Sequence, residues 1–210
     1  MFDLDGIEVG VIGCAVGASF AVLLAEQLVV SGCELLVSVT SSGSITLIGD
    51  PPYFVLIDRA LRDEGTSHHY LPPAPWAGAP AALIARLDGA FTGTNQPVKV
   101  GSTWTTDAPY RETATAIERA EQLGIVAVEM EAAALYAFAQ ARGCDVICVA
   151  HVTNTMATEG DDFEKGEAGG AHAALEVVAA IITALMADRR QVVAVTTPPA
   201  PSRSTPAADS

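Results

Sequence analysis

Glu129-Met130-Glu131 places two carboxylates on either side of a thioether, where the apolar run 125–128 gives way to an alanine-rich stretch beginning at Ala132. A carboxylate at such a junction can accept hydrogen bonds from hydroxyl groups and stabilise positive charge developing on a reacting group. Glu131 suits both tasks. A glutamate favoured by the dipole at a helix N-terminus fits the same position equally well. Met130 offers an apolar contact or simple core filling. Asn154, within Thr153-Asn154-Thr155, carries an amide that donates and accepts at once but transfers no full proton; the triplet also reads as a turn after a strand. Trp104 and Tyr110, in the polar-aromatic stretch 102–110, supply flat surfaces for a planar ligand, or a lid or interface anchor. Ser41 and Ser42, beside Gly43, read as an anion cradle or as a polar turn.

These groups need a scaffold, and the sequence predicts one of alternating strands and helices. Apolar runs at 7–12, 35–39, 53–57, 98–101, 125–128 and 146–152 read as strands. Residues 18–30 read as a helix, with Phe20, Leu23, Leu24 and Leu28 at core spacing and Gly32 past its end. Further helices are expected at 81–89, 113–123 and 131–142, the last ended by Gly143, and a strongly apolar one at 171–188. The first strand, helix and second strand predict a parallel pair with a right-handed crossover. The expected fold class is α/β, a three-layer α/β/α sandwich around a mixed, mostly parallel sheet. Residues 1–190 form the expected domain. Residues 191–210, with prolines among Ser, Thr and Ala, read as a disordered tail.

Composition sets the class. Half of the 210 residues are hydrophobic and the net charge is −14, which argues against nucleic acid or an anionic membrane as partner. Cys14, Cys33, Cys144 and Cys148 form no Cys-x-x-Cys pair and lack histidines at zinc-ligand spacing. Reduced thiols in a cytoplasmic protein, with no metal, are the expectation. The apolar region 7–39 is broken by glycines and carries Glu26, Gln27 and Glu34, so it reads as strand, helix and strand rather than a membrane span. Neither a phosphate-binding Gly-x-x-x-x-Gly-Lys-Ser/Thr loop nor a dinucleotide fingerprint is present, so chemistry without a cofactor is expected.

Three segments together resemble the purine and uridine nucleoside phosphorylase family. They are Val128-Glu129-Met130-Glu131-Ala132-Ala133-Ala134-Leu135-Tyr136, the stretch from Gly101 to Tyr110, and Val152-Thr153-Asn154-Thr155. Leu61-Arg62-Asp63-Glu64-Gly65 resembles the uridine branch. The resemblance implies cleavage of a ribonucleoside's N-glycosidic bond, with phosphate as co-substrate, in a homo-oligomer. It implies that Glu131 holds the ribose hydroxyls, with Met130 against the sugar and Glu129 either positioning Glu131 or approaching the sugar through water. Asn154 would meet the base, Trp104 and Tyr110 would wall it, and Ser41 would reach phosphate. Ser38 stands where relatives carry a phosphate arginine. The resemblance starts near the family's third strand, so the upstream glycine-arginine segment and histidine of relatives have no counterpart. A water-using nucleosidase and a non-catalytic nucleoside-binding protein are the alternatives at this stage.

Overall fold

The computed structural model describes the backbone of residues 1–155 and 170–195, and the side chains of residues 1–153 and 170–186. Eight strands and five α-helices are present among them. In chain order they are β1 (Phe2–Leu4), β2 (Ile7–Val9), α1 (Ala18–Val30), β3 (Leu35–Ser44), β4 (Tyr53–Asp63), β5 (Trp76–Gly78), α2 (Ala81–Ala85), β6 (Val98–Thr106), α3 (Ala114–Gln122), β7 (Ile125–Glu129), α4 (Ala132–Arg142), β8 (Asp145–Thr155) and α5 (Ala171–Val195).

Six strands form a mixed sheet in the order β5-β4-β6-β7-β3-β8, and a further antiparallel pairing of β4 with β8 closes it into a ring. Within the ring β4–β6, β6–β7 and β3–β8 are parallel, whereas β3–β7 and β4–β8 are antiparallel. Strand alternation explains why both faces of β4 and β8 are buried. Tyr53, Val55 and Ile57 of β4, with Val146, Cys148 and Ala150 of β8, pack beneath α1 and α4. Phe54, Leu56, Ile147 and Val149 face the other way, toward Leu83 and Leu87 and toward Val177, Ile181 and Leu185 of α5. A third cluster joins Trp104, Ile125 and Val128 to Ala120 of α3. The α/β class and the helix-covered mixed sheet expected from the sequence are present. Among the described residues, no helix is long and apolar enough to cross a membrane.

Four expectations require correction. The strand expected at 7–12 stops at Val9 and joins β1 in a separate antiparallel hairpin, not a parallel unit with β3. Its two-residue turn is Asp5-Gly6, with φ of 50° and 83°, the left-handed pair that suits a tight hairpin. The core side of α1 is Ala18, Ala21, Val22 and Ala25, while Phe20 and Leu23 point outward. Small residues win there because α1 lies against α4, itself built largely of alanine. The polar stretches after β3, β6 and β8 are not turns or loops. Ser41–Gly43, Ser102–Thr106 and Thr153–Thr155 lie within those strands, their backbone held in the ladder. Finally, α5 continues to Val195, past the boundary expected at Arg190; residues 196–210 lie outside the described residues.

The end of α4 is as the sequence predicts. Gly143 is its left-handed cap at φ 66°, and a Cβ there would meet nothing within 4 Å. Gly143→Ala is therefore expected to cost about 1 kcal/mol, a purely backbone penalty measurable by urea denaturation.

Candidate active site

The ladder brings three of the sequence segments to one end of the ring. Gly43 of β3 pairs with Val128 of β7 on one side and with Asn154 of β8 on the other. Ser42 Oγ donates to the Val128 carbonyl at 2.6 Å. Ser41 is exposed one residue earlier on β3. Glu129 ends β7, Glu131 is the N-cap residue of α4, and half-buried Met130 lies between them. The backbone of Asn154 belongs to this group; its side chain lies outside the described residues.

The two glutamates differ in what their oxygens have left to offer. Glu129 is 3% exposed. Its Oε1 accepts from Thr105 Oγ1 at 2.5 Å and Thr103 Oγ1 at 3.1 Å. Its Oε2 accepts from the amides of Glu131 and Ala132, both at 2.7 Å. A carboxylate has roughly four lone-pair sites, so Glu129 is saturated. Burial pushes its carboxyl up to about 7, against the opposing pull of the Thr105, Ala132 and Glu131 donors and with a contribution from the neighbouring Glu131 charge. Of the two roles expected for Glu129, these bonds fit the positioning of Glu131.

Glu131 is 5% exposed but only half engaged. Its Oε1 accepts from the Gly17 amide at 2.7 Å and its Oε2 from the Met130 amide at 3.3 Å. Two of roughly four acceptor sites remain. The Gly17 contact also ties the start of α1 to the start of α4 across 114 positions of sequence.

Trp104 is not brought to this group. In the ladder Thr105 pairs with Glu129 and Trp104 with Val128, so Trp104 projects from the opposite face. There it is 6% exposed, packs in the α3 cluster and donates its indole N–H to Asp63 Oδ2 at 2.9 Å. Tyr110, in the turn after β6, is fully exposed among the described residues.

A sequence model of the phosphorylase superfamily matches residues 1–186. The chain belongs to that superfamily. It is 25% identical over 139 residues to the guanosine phosphorylase of Halorubrum lacusprofundi, a match covering 66% of this chain and 58% of the relative. It is 28% identical over 157 residues to the DeoD-type purine nucleoside phosphorylase of Bacillus cereus, covering 73% of this chain and 66% of the relative. The chain thus matches less than two thirds of the length of either.

Both relatives carry purine-directed names, whereas Arg62 belongs to the stretch that resembles the uridine branch. In this phosphorylase-superfamily chain Arg62 is 7% exposed and its guanidinium is fully engaged by its own loop. It donates to Ser67 Oγ at 2.8 Å and to the carbonyls of Pro72 at 2.8 Å, Ala74 at 3.3 Å and Leu71 at 3.3 Å, and meets His68 Nδ1 at 3.3 Å. A polar hollow of about 290 Å³ beside it is lined by Asp63, Glu64, His68 and Asp107, and by none of the three residues of the Glu129–Glu131 turn. Sequence reasoning missed Gly17, Thr103 and Thr105 as partners of the glutamates. For Thr105 a signal existed: strand alternation from the expected strand at 98–101 places it on the face opposite Trp104.

Proposed function

We propose that this chain breaks the N-glycosidic bond of a ribonucleoside, transferring the ribose to phosphate and releasing a free base and ribose 1-phosphate. The observation that carries the reading is the Glu131 carboxylate, buried at the meeting point of α1, β7 and α4 with two acceptor sites open. Those sites match the paired 2′- and 3′-hydroxyls of ribose, and the charge favours the cationic sugar of the transition state. Met130 packs against the sugar. Asn154, at the end of β8, hydrogen-bonds the base as negative charge develops on it, without protonating it. Ser41 supplies a hydroxyl toward phosphate. No metal or organic cofactor takes part. The names of the relatives support a purine base. The reading includes a cytoplasmic homo-oligomer, for which the outward Phe20, Leu23 and Val30 of α1 offer a contact surface.

The test is base release from guanosine, inosine, adenosine and uridine, with and without inorganic phosphate, followed by chromatography. Phosphate-dependent release of a purine base is expected; no release from any member of the panel would refute the reading. A second reading, hydrolysis by water, is favoured by Ser38 at the position of a phosphate arginine and by the engagement of four of the six described arginines, Arg111 and Arg119 being exposed. Arg62 is engaged as described, Arg142 pairs with Glu26 at 2.6 Å, Arg59 stacks over Trp76, and Arg86 donates to the Leu185 carbonyl. Ser38 stands in β3 opposite Cys148. Phosphate binding normally draws on an arginine fork. Weak saturation by phosphate is therefore expected, with residual release in its absence, and Ser38→Arg is expected to strengthen phosphate dependence in the same assay. Tight saturation by phosphate in the parent would contradict this.

A further inference from the structure

Every helix begins with backbone N–H groups that lack intrahelical acceptors. The N-cap side chain usually serves them. In α4 the N-cap residue is Glu131, and it makes no side-chain cap bond. The donors are served from elsewhere. The amides of Glu131 and Ala132 go to Glu129 Oε2, and the amide of Ala133 goes to Thr105 Oγ1 at 2.9 Å. The Thr105 hydroxyl has one proton, and it points at Glu129 Oε1. A continuous chain of donors thus runs from Ala133 N–H through Thr105 to Glu129, with Thr103 joining at the same oxygen. Three consecutive amides terminate on one buried network contributed by β6 and β7.

We propose that Thr105, acting through Glu129, is a positioning residue that caps α4 in place of Glu131, so that the Glu131 carboxylate is released for ligand and held in a fixed orientation. This rests on reading Glu131 as the sugar-binding group. A capping glutamate would turn back on its own helix. Here the cap comes from the neighbouring strands, and Glu131 reaches across to the Gly17 amide at the start of α1 with acceptor sites to spare. The arrangement also demands an ionised Glu129, because a protonated carboxyl accepts fewer amides. Among the described residues the groups facing it are Glu131 on the same turn, Tyr136 on α4 and Cys148 on β8, and β6 contributes the two threonines. Burial pushes the Tyr136 phenol and the Cys148 thiol well above their ordinary values, so both stay neutral through the pH range in which Glu129 titrates.

The experiment compares Thr105→Val, Thr105→Ser and Thr103→Val with the parent. The measurements are amide hydrogen exchange at residues 131–133, steady-state kinetics with guanosine and phosphate, and the pH profile. Thr105→Val is expected to speed exchange at 131–133 and to raise the nucleoside KM by about tenfold, below the roughly 10²-fold that a 1 Å misplacement can cost. It is also expected to move the acid limb to higher pH, because Glu129 loses a donor that favours its ionised form. Thr105→Ser should restore all three. Thr103→Val, which leaves the Ala133 bond intact, should move the acid limb alone, and it keeps the test open if Thr105→Val fails to fold. Unchanged exchange and an unmoved acid limb in a folded Thr105→Val protein would overturn the proposal. If the parent releases no base, the sugar-binding reading of Glu131 fails by itself. The exchange data then still decide whether Thr105 holds the start of α4.

Discussion

Glu131→Gln is expected to lower kcat/KM for base release by about two to three orders of magnitude while leaving the melting temperature close to that of the parent. The amide oxygen of glutamine keeps an acceptor for the Gly17 N–H, now made at 2.7 Å by Oε1, so the junction of α1 and α4 survives. What is lost is the negative charge and one acceptor, which the proposed function directs at a sugar whose positive character peaks in the transition state. Removing one directed group of that kind typically costs about 10²- to 10³-fold. Glu131→Ala is the harsher variant, because it also leaves the Gly17 amide without its partner. Parent-like kinetics in Glu131→Gln, with the fold intact by circular dichroism, would remove Glu131 from the reaction.

The second large effect is structural. Arg62→Ala is expected to destabilise the protein by about 3–5 kcal/mol, the range for breaking a buried polar hub, and to lower the melting temperature by roughly 10 °C for a chain of this size. Three carbonyls, a serine hydroxyl and a histidine ring nitrogen converge on this one side chain. Arg62→Lys is expected to recover little, since an ammonium has three donors and no planar fork. Calorimetry measures this role directly. An unchanged melting temperature in Arg62→Ala would overturn it.

The sequence was informative where local signals act alone. Helix α1 begins and ends where its glycine punctuation places it, and α4 runs to Gly143 as expected. The strand-to-helix turn at Glu129-Met130-Glu131 is also where the pattern puts it. Other features were hidden for physical reasons. The outward turn of Phe20 depends on how closely α1 approaches α4, which no periodicity within α1 encodes. The burial of Trp104 on the far face follows from β6 continuing as a strand to Thr106, and polar threonines obscure that continuation. The Gly17–Glu131 contact joins residues 114 positions apart, and only the folded ring brings them together. The hairpin at Asp5-Gly6 was legible, since Asp-Gly is a strong turn signal, but the longer apolar run beside it reads more readily as a buried strand.

Closure of the sheet has a consequence for how the chain is made. Strand β8 supplies the pairing for both β3 and β4, through Leu35–Asp145 at one end and Tyr53–Val152 along another edge. During synthesis from the N-terminus, β3 and β4 therefore emerge about a hundred residues before the strand that satisfies them. Each presents an unpaired edge for that interval, and such edges invite pairing with other chains. The contacts that end the exposure are long in sequence and slow to form. Insertion of residues 145–155 between β3 and β4 closes both edges at once, and α5, which packs against Ile147 and Val149, comes later still in the chain.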